Sequence, residues 1–343
     1  MKRTRRVASV VAVVALALVP TAAQADPSFY ESPIFGSTTA GASLLVADAG
    51  RGVVNGDTGA LVAALPGITD VAVRSGGGLW ATTGAGENPE ADTGQGIWRI
   101  SGSNATLVAN LFEYEAKRNP HPDTVDSNPF DVADAGHGKA LVADAGGNDL
   151  LLVGPSRITL VATLPNELVS TANAKAIFGC PAGPPDICNL PPMIPAEAVA
   201  TSVAVGPDGA YYVGELKGFP SPVGESRVWR IEPGSRYVEC GVSKRCKLVL
   251  DGFTSIIDLA FGPNGRLNVA QIDDASWLAM EVGAGVGGSV RSCNLATDDV
   301  ASECDELVDE VPILTSITYR GNALWGSILA LVPGEADVVP LTP

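Results

Sequence analysis

Three observations predict that this chain is all-β and folds as a six-bladed β-propeller of four-stranded antiparallel blades. One unit recurs along the sequence, helical periodicity is nearly absent, and the long connecting segments fall at regular places within the unit. The unit is a short alternating β segment, a Gly-rich turn, and a second apolar β segment ending on a polar residue.

The copies can be followed in order. Asp70–Val73, the turn Ser75–Gly78 and Leu79–Thr83 form one. Phe130–Ala133, Gly136–Lys139 and Ala140–Asp144 form the next. The clearest is Thr201–Val205, Gly206–Gly209 and Ala210–Glu215; Ile257–Phe261, Gly262–Gly265 and Arg266–Gln271 match it closely. The last is Ile317–Tyr319, Arg320–Asn322 and Ala323–Ser327, and Leu44–Asp48 is the second half of a copy near the start. A further β pair follows, as in Gly96–Ile100 with Ala105–Ala109, Asp149–Val153 with Ile158–Ala162, and Arg227–Ile231 with Lys247–Leu250. Each unit therefore reads as strands a, b, c and d. Helical patterning is confined to Leu111–Lys117 and Ala172–Phe178, both between units.

A single meander cannot bury both of its faces, whereas radial packing of neighbouring units does so. A pair of β-sandwiches is the competing architecture, but it does not predict the recurring strand–turn–strand–polar pattern. The ends are least regular. The first unit has a poor strand a, the last has an irregular c/d segment over Glu335–Leu341, and Pro27–Gly36 is available to complete a blade and close the ring.

The N-terminus predicts export. Lys2, Arg3, Arg5 and Arg6 precede an apolar run, Val7–Val19, then Pro20 and the small residues up to Ala25. These are the three regions of a secretory signal peptide, with cleavage expected between Ala25 and Asp26. The run is shorter than the ~20 residues a membrane-spanning helix needs. The expected organisation is thus a leader, 1–25, and one propeller domain, 26–343. Cleavage takes the formal charge from −16 to −20, since four basic residues and no acidic one are lost. So acidic a chain repels phosphate backbones and anionic membranes, which disfavours nucleic-acid partners.

Six cysteines fall in close pairs: Cys180/Cys188, Cys240/Cys246 and Cys293/Cys304. Even count, proximity and export together predict three local disulfides. Zinc is the alternative, but no C-x-x-C spacing occurs and only His121 and His137 could add imidazole ligands.

With strand a running up, the a–b and c–d turns share one rim and the b–c and d–a connections the other. The a–b turns are tight. The long segments 84–95, 110–128, 165–200, 216–226 and 272–288 are all b–c or d–a, and long loops in compact domains commonly carry function. The other reading is that they only cover the channel mouth. The longer c–d loops of the fourth and fifth units each contain a cysteine pair, on the opposite rim.

Several stretches resemble the ScyD/ScyE family, named from proteins associated with scytonemin biosynthesis. They are Ser127–Val132 through Leu141–Leu151, Thr201–Pro220 continuing to Gly224, Gly252–Phe261, and the link Tyr114–Pro120. The resemblance covers most of 105–275 and implies an exported propeller related to NHL-repeat proteins. It brings no established catalytic residues. Lys217 and Glu197 depart from the family pattern.

The b strands end on Asp48, Thr83, Asp144, Glu215, Gln271 and Ser327. Carboxylates converging there, Asp48, Asp144 and Glu215, are candidate ligands for Ca²⁺, a hard ion that takes oxygen ligands; related propeller lactonases use such a central metal. The competing reading is that each acid accepts backbone N–H groups of its own b–c turn, as Asp commonly does, and the Asp-Ala-Gly context of Asp48 and Asp144 fits that. Glu215, in Gly-Glu-Leu-Lys-Gly-Phe-Pro, is the leading candidate for a catalytic acid. Lys217, Phe219 and Trp277 join the b-strand ends as candidate ligand contacts on the long-loop rim. Glu115 and His121 belong to an acidic stretch, with Glu113, Asp123 and Asp126, that could supply a base or metal ligands, or be a solvated cap. Neither G-x-S-x-G nor H-E-x-x-H occurs. Trp80, Trp98, Trp229 and Trp325 occupy strand positions that suit packing between blades.

The sequence therefore leads to a secreted, monomeric propeller binding a small molecule or a cell-surface or secreted protein at the long-loop rim. A Ca²⁺-dependent hydrolase or lactonase acting on a small molecule at the channel mouth is the alternative.

Overall fold

The computed structural model describes residues 29, 30, 32–86, 90–121, 125–295 and 303–342; the expected leader and Asp123 lie outside the described residues. Six blade sheets follow one another along the chain, each built on a meander of antiparallel neighbours. Blade 1 holds Ile34–Ala40, Ser43–Asp48, Gly52–Asn55 and Leu61–Ala64. Blade 2 holds Ile68–Val73, Leu79–Thr83, Gly96–Ser101 and Asn104–Asn110. Blade 3 holds Pro129–Gly136, Lys139–Asp144, Asp149–Val153 and Ile158–Thr163. Blade 4 holds Ala200–Val205, Tyr211–Glu215, Ser226–Ile231 and Cys246–Phe253. Blade 5 holds Ile256–Phe261, Leu267–Gln271, Gly288–Asn294 and Glu303–Val311. Blade 6 has three strands among the described residues, Ile317–Arg320, Ala323–Ile328 and Asp337–Pro340. The expected fourth strand is not seen there.

The period-2 pattern of each strand sends alternate side chains to opposite blade interfaces. Leu45 and Ala47 pack against Ile68, Val71 and Ala81 of blade 2, whereas Leu44 and Val46 pack against Ala336 and Val338 of blade 6. Ala140 and Val142 face blade 2, while Leu141 and Ala143 face Val203, Val213 and Trp229 of blade 4. Blades 4 and 5 meet through Tyr212, Val228, Ile256 and Leu259; blades 5 and 6 through Ala270, Val290, Ile317 and Leu324. The core is thus a ring of interblade layers, and burying each Val, Leu or Ile there contributes about 1.5–3 kcal/mol before chain entropy is charged.

The a–b turns are set by sequence. In Gly206–Gly209 and Gly262–Gly265 the last glycine adopts φ of 75° and 77°, a region costly for other residues. Asp208 and Asn264 each accept the N–H two residues on, from Ala210 and Arg266.

The N-terminal segment closes the ring. Ile34–Ala40 supplies strand a of blade 1, and the Ile34 N–H donates to the Ala330 carbonyl at 2.9 Å. Tyr30, fully buried, packs with Ala330 and Val338 of the last blade. Among the described residues the first and last blades meet side by side, with no strand shared between their sheets.

The three cysteine pairs are disulfide-bonded as their proximity predicts: Cys180 to Cys188, Cys240 to Cys246, and Cys293 to Cys304. The place of the third pair is a correction. Cys293 and Cys304 do not lie within the c–d loop of blade 5. Cys293 belongs to strand c, Gly288–Asn294, and Cys304 to strand d, Glu303–Val311. The two are registered directly opposite each other, with Cα atoms 4.0 Å apart. The reason is that the c–d ladder continues outward past the cysteines as far as Asn294 and Glu303, so the bridge ties two paired strands. Cys293 is fully buried in the layer between blades 4 and 5, and half-buried Cys304 packs against that layer.

The c–d loop of blade 4, closed by Cys240–Cys246, does more than line the far rim. It adds Val238–Glu239 as a fifth strand, parallel to Ile158–Thr163, and so covers the outer edge of blade 3.

Candidate functional site

The six b-strand ends occupy equivalent positions on the long-loop rim, opposite or next to the starts of the a strands. Asp48 faces Ile34, Thr83 faces Ile68, Asp144 faces Pro129, Glu215 faces Ala200 and Gln271 faces Ile256, while the Ser327 N–H donates to the Ser316 carbonyl. All six are buried.

Each side chain has work nearby. Asp144 Oδ1 accepts the N–H groups of Asn128, Gly146 and Gly147, and Oδ2 accepts the Ser127 hydroxyl at 2.6 Å. Asp48 accepts from Gly50 and Arg51, and Ser327 Oγ from the Thr315 and Ser316 N–H groups. Gln271 accepts from Thr254, and Thr83 accepts the Trp98 indole N–H. A polar residue ending strand b therefore fixes its own turn or the link entering strand a. Among the described residues no group of three or more His, Cys, Asp or Glu side chains is spaced to hold a metal ion.

Glu215 is held from two sides. Lys217 Nζ lies 2.6 Å from one carboxylate oxygen, and the Trp229 indole donates to the other. Lys217 also donates to Glu167 at 2.8 Å, and Glu167 in turn pairs with Arg227. Burial pushes the Glu215 carboxyl upward, with Lys217 pulling against it. Lys217 itself is fully buried, at a left-handed φ of 66°.

That ion network sits under a braced set of loops. The hairpin of Glu167–Ser170 with Met193–Ala196 turns Glu167 and Val169 inward, and Leu168, Met193 and Pro195 outward. Between its strands lie the short helices Ala172–Ile177 and Pro185–Cys188, stapled by Cys180–Cys188. Asn173 Nδ2 donates to the Ser221 carbonyl at 2.6 Å and to Ser276 Oγ at 3.0 Å, tying this insert to the b–c loops of blades 4 and 5. Trp277, half-buried at the start of the helix Trp277–Glu281, donates its indole N–H to the Lys217 carbonyl at 3.0 Å. Phe219 is half-buried in the same neighbourhood.

Glu115 and His121 follow from the helix Leu111–Arg118, which Asn110 caps by accepting the Glu113 N–H. Glu113 pairs with Lys117 on the exposed side, whereas Glu115 is buried, and burial with the charges of Asp144 and Asp126 pushes its carboxyl up to about 8. His121 is half-buried beyond the helix end. The predicted residues thus divide into one group around Glu215, Lys217, Phe219 and Trp277, and another around Glu115 and Asp144. Asp48, Thr83 and Gln271 serve their own blades.

The central channel holds a feature the sequence reading passed over. Asp70, Asp131 and Asp258 occupy equivalent places on strand a, opposite Thr82, Ala143 and Ala270. Each reaches across to the next a strand. Asp70 accepts the Val132 N–H at 3.1 Å, Asp131 that of Val203 at 2.6 Å, and Asp258 that of Ile317 at 2.6 Å. They border a cavity of about 290 Å³ that also meets Thr38, Ala72, Phe261 and Tyr319, in the half of the channel nearer the a–b turns. Burial pushes all three carboxyls up, and the Asp131 charge adds to the effect on Asp70 and Asp258. The signal was present: Asp is disfavoured inside strands, yet it recurs at one place in three units.

No family model matches the chain, and no curated protein matches it. Solved structures do. A glucose dehydrogenase structure aligns with a TM-score of 0.55 at 12% identity, over 94% of this chain and 99% of that one. A gluconolactonase from Xanthomonas campestris aligns with a TM-score of 0.53 at 12% identity, over 92% of this chain and 89% of that one. The chain spans about a third (33%) of the extracellular domain of a putative hybrid two-component system from B. thetaiotaomicron, at 11% identity and a TM-score of 0.46. At these identities the likeness is one of fold.

Proposed function

We propose that this chain is an extracytoplasmic binding module that holds a protein partner on the outer face of the 167–196 hairpin, at the long-loop rim. One observation carries the reading: an apolar face, with Leu168 67% and Met193 49% exposed, is presented on a hairpin anchored from beneath by Glu167, Lys217 and Arg227. Val223, Val282 and Val286, on the two loops that brace it, are also exposed. Exposed apolar surface is costly to keep, and a rigid mount removes part of the ordering cost of binding. Export is supported by the three disulfides and by the expected leader.

The test is cross-linking of the tagged protein in its own culture, comparing wild type with Leu168→Glu/Met193→Glu. A discrete cross-linked species present in wild type and lost in a variant with unchanged circular dichroism is expected. Equal capture by both would remove the hairpin from consideration. Ester or lactone turnover that disappears in Glu215→Gln, with folding intact, would replace this reading with a hydrolase. The N-terminal sequence of the secreted protein is expected to begin at Asp26.

A further inference from the structure

The c–d loop of blade 4 runs against the charge balance of the rest of the chain. Without the leader the chain carries 18 basic residues, 22 less the leader's four, against 38 acidic ones. Residues 233–247 hold four basic residues, Arg236, Lys244, Arg245 and Lys247, and one acidic residue, Glu239. Arg245 is used inside the loop. Its guanidinium donates to Ser235 Oγ at 3.1 Å and to the Pro233 carbonyl at 3.0 Å, and it pairs with Glu232. Arg236, Lys244 and Lys247 are exposed and form no ion pair with any described residue.

The loop is a fixed platform. The Tyr237 N–H donates to the Leu160 carbonyl at 3.1 Å and the Cys240 N–H to that of Thr163 at 3.0 Å, so the segment lies along strand d of blade 3. The Cys240–Cys246 bridge closes it. Ser235, Val238, Cys240 and Cys246 are buried beneath it. Tyr237 and Val242 are not: they are 73% and 74% exposed, more than any other large hydrophobic side chain described. Covering the edge of blade 3 requires Val238 and the bridge, and neither of these two side chains. Arg157, also exposed, stands just ahead of the strand on which the loop lies.

We propose that this loop docks the protein on an anionic lipid surface. Arg157, Arg236, Lys244 and Lys247 would meet the headgroups, while Tyr237 and Val242 enter the interface. The cations alone would suit any polyanion. The apolar pair decides for a bilayer: an aliphatic side chain gains little from a hydrated polymer but leaves water at the acyl boundary, and a tyrosine ring suits the headgroup level. The net charge of the chain opposes such a surface from afar. At physiological ionic strength, however, charges more than about 8–10 Å away are largely screened, so the face in contact decides. The loop shares no residue with the 167–196 hairpin, and the two readings stand separately.

The test is co-sedimentation of the full mature protein with vesicles at about 0.1 M salt. One set is phosphatidylglycerol and phosphatidylcholine in equal parts, the other phosphatidylcholine alone. Binding to the first and not to the second is expected. Arg236→Glu/Lys244→Glu should weaken it about 30-fold or more, and Tyr237→Ser/Val242→Ser about tenfold. All four side chains are exposed, so circular dichroism of both variants should match wild type. Arg99→Glu/Lys117→Glu makes the same change in net charge on other exposed positions and should bind as wild type does. No binding of wild type to the anionic vesicles, or equal loss in this last variant, would overturn the proposal. Loss in the Arg236/Lys244 variant alone, with the Tyr237/Val242 variant unchanged, would assign the loop to a soluble polyanion and overturn the lipid reading as well.

Discussion

Lys217 Nζ lies 2.6 Å from the Glu215 carboxylate, and both side chains are entirely out of solvent. Such a pair is weak evidence of stabilisation in itself, because desolvating two charges offsets their attraction. Breaking it is another matter. Lys217→Met would leave Glu215 buried with only the Trp229 N–H, and Glu167 would lose a partner as well. The expected loss is about 3–5 kcal/mol by denaturant unfolding. The double variant Glu215→Leu/Lys217→Met should recover much of that loss. A single-variant loss below ~1 kcal/mol would show that the pair does not hold the loops.

The channel aspartates act as struts between blades. Asp258→Leu would strand the N–H groups of Ile317 and Leu259, costing about 1–3 kcal/mol for each left unsatisfied. Asp258→Asn keeps an oxygen acceptor and should cost clearly less. Equal losses in the two variants would argue against the strut.

Stability should fall as pH rises across neutrality. Burial, with the charges of Asp144 and Asp126, pushes the Glu115 carboxyl from 4.5 up to about 8. The folded protein therefore keeps a proton that the unfolded chain has released. The stability this proton contributes is full below pH 4.5 and is lost as pH rises through 8. Asp70, Asp149 and Asp258 shift in the same direction. The denaturation midpoint should be higher at about pH 5.5 than at about pH 8.5, and Glu115→Gln should shrink the difference. A midpoint that climbs with pH would contradict the assignment.

Removing the Cys240–Cys246 bridge should have a local signature. Cys240→Ser/Cys246→Ser is expected to lose about 2 kcal/mol, since the closed loop is short. Hydrogen exchange should speed up at Tyr237 and Cys240, whose N–H groups donate to Leu160 and Thr163 of blade 3. Exchange unchanged at those positions would mean that the fifth strand holds without its staple.

Much of this molecule was determined by sequence alone. The strand–turn–strand unit, the glycines at 209 and 265, and the alternation of Leu44, Leu45, Val46 and Ala47 are local patterns, and local geometry leads from them to blades. The disulfide partners were legible because they are neighbours in the chain. Where a bridge sits was less so: Cys293 and Cys304 turned out to be rungs of one ladder, because strand pairing ran beyond the point where the apolar pattern ends. The b–c and d–a connections share one rim because antiparallel order leaves them no other choice. Side-chain partners across blades were not legible. Asp131 and Val203 lie 72 residues apart, and nothing near either announces the bond between them. Glu215 stood out at a strand end as the leading functional candidate; only the fold shows that its charge is met by Lys217, at a left-handed backbone position two residues on. The reason is physical: a carboxylate's role depends on which donors and charges reach it through space, and those come from segments that only the closed ring brings together.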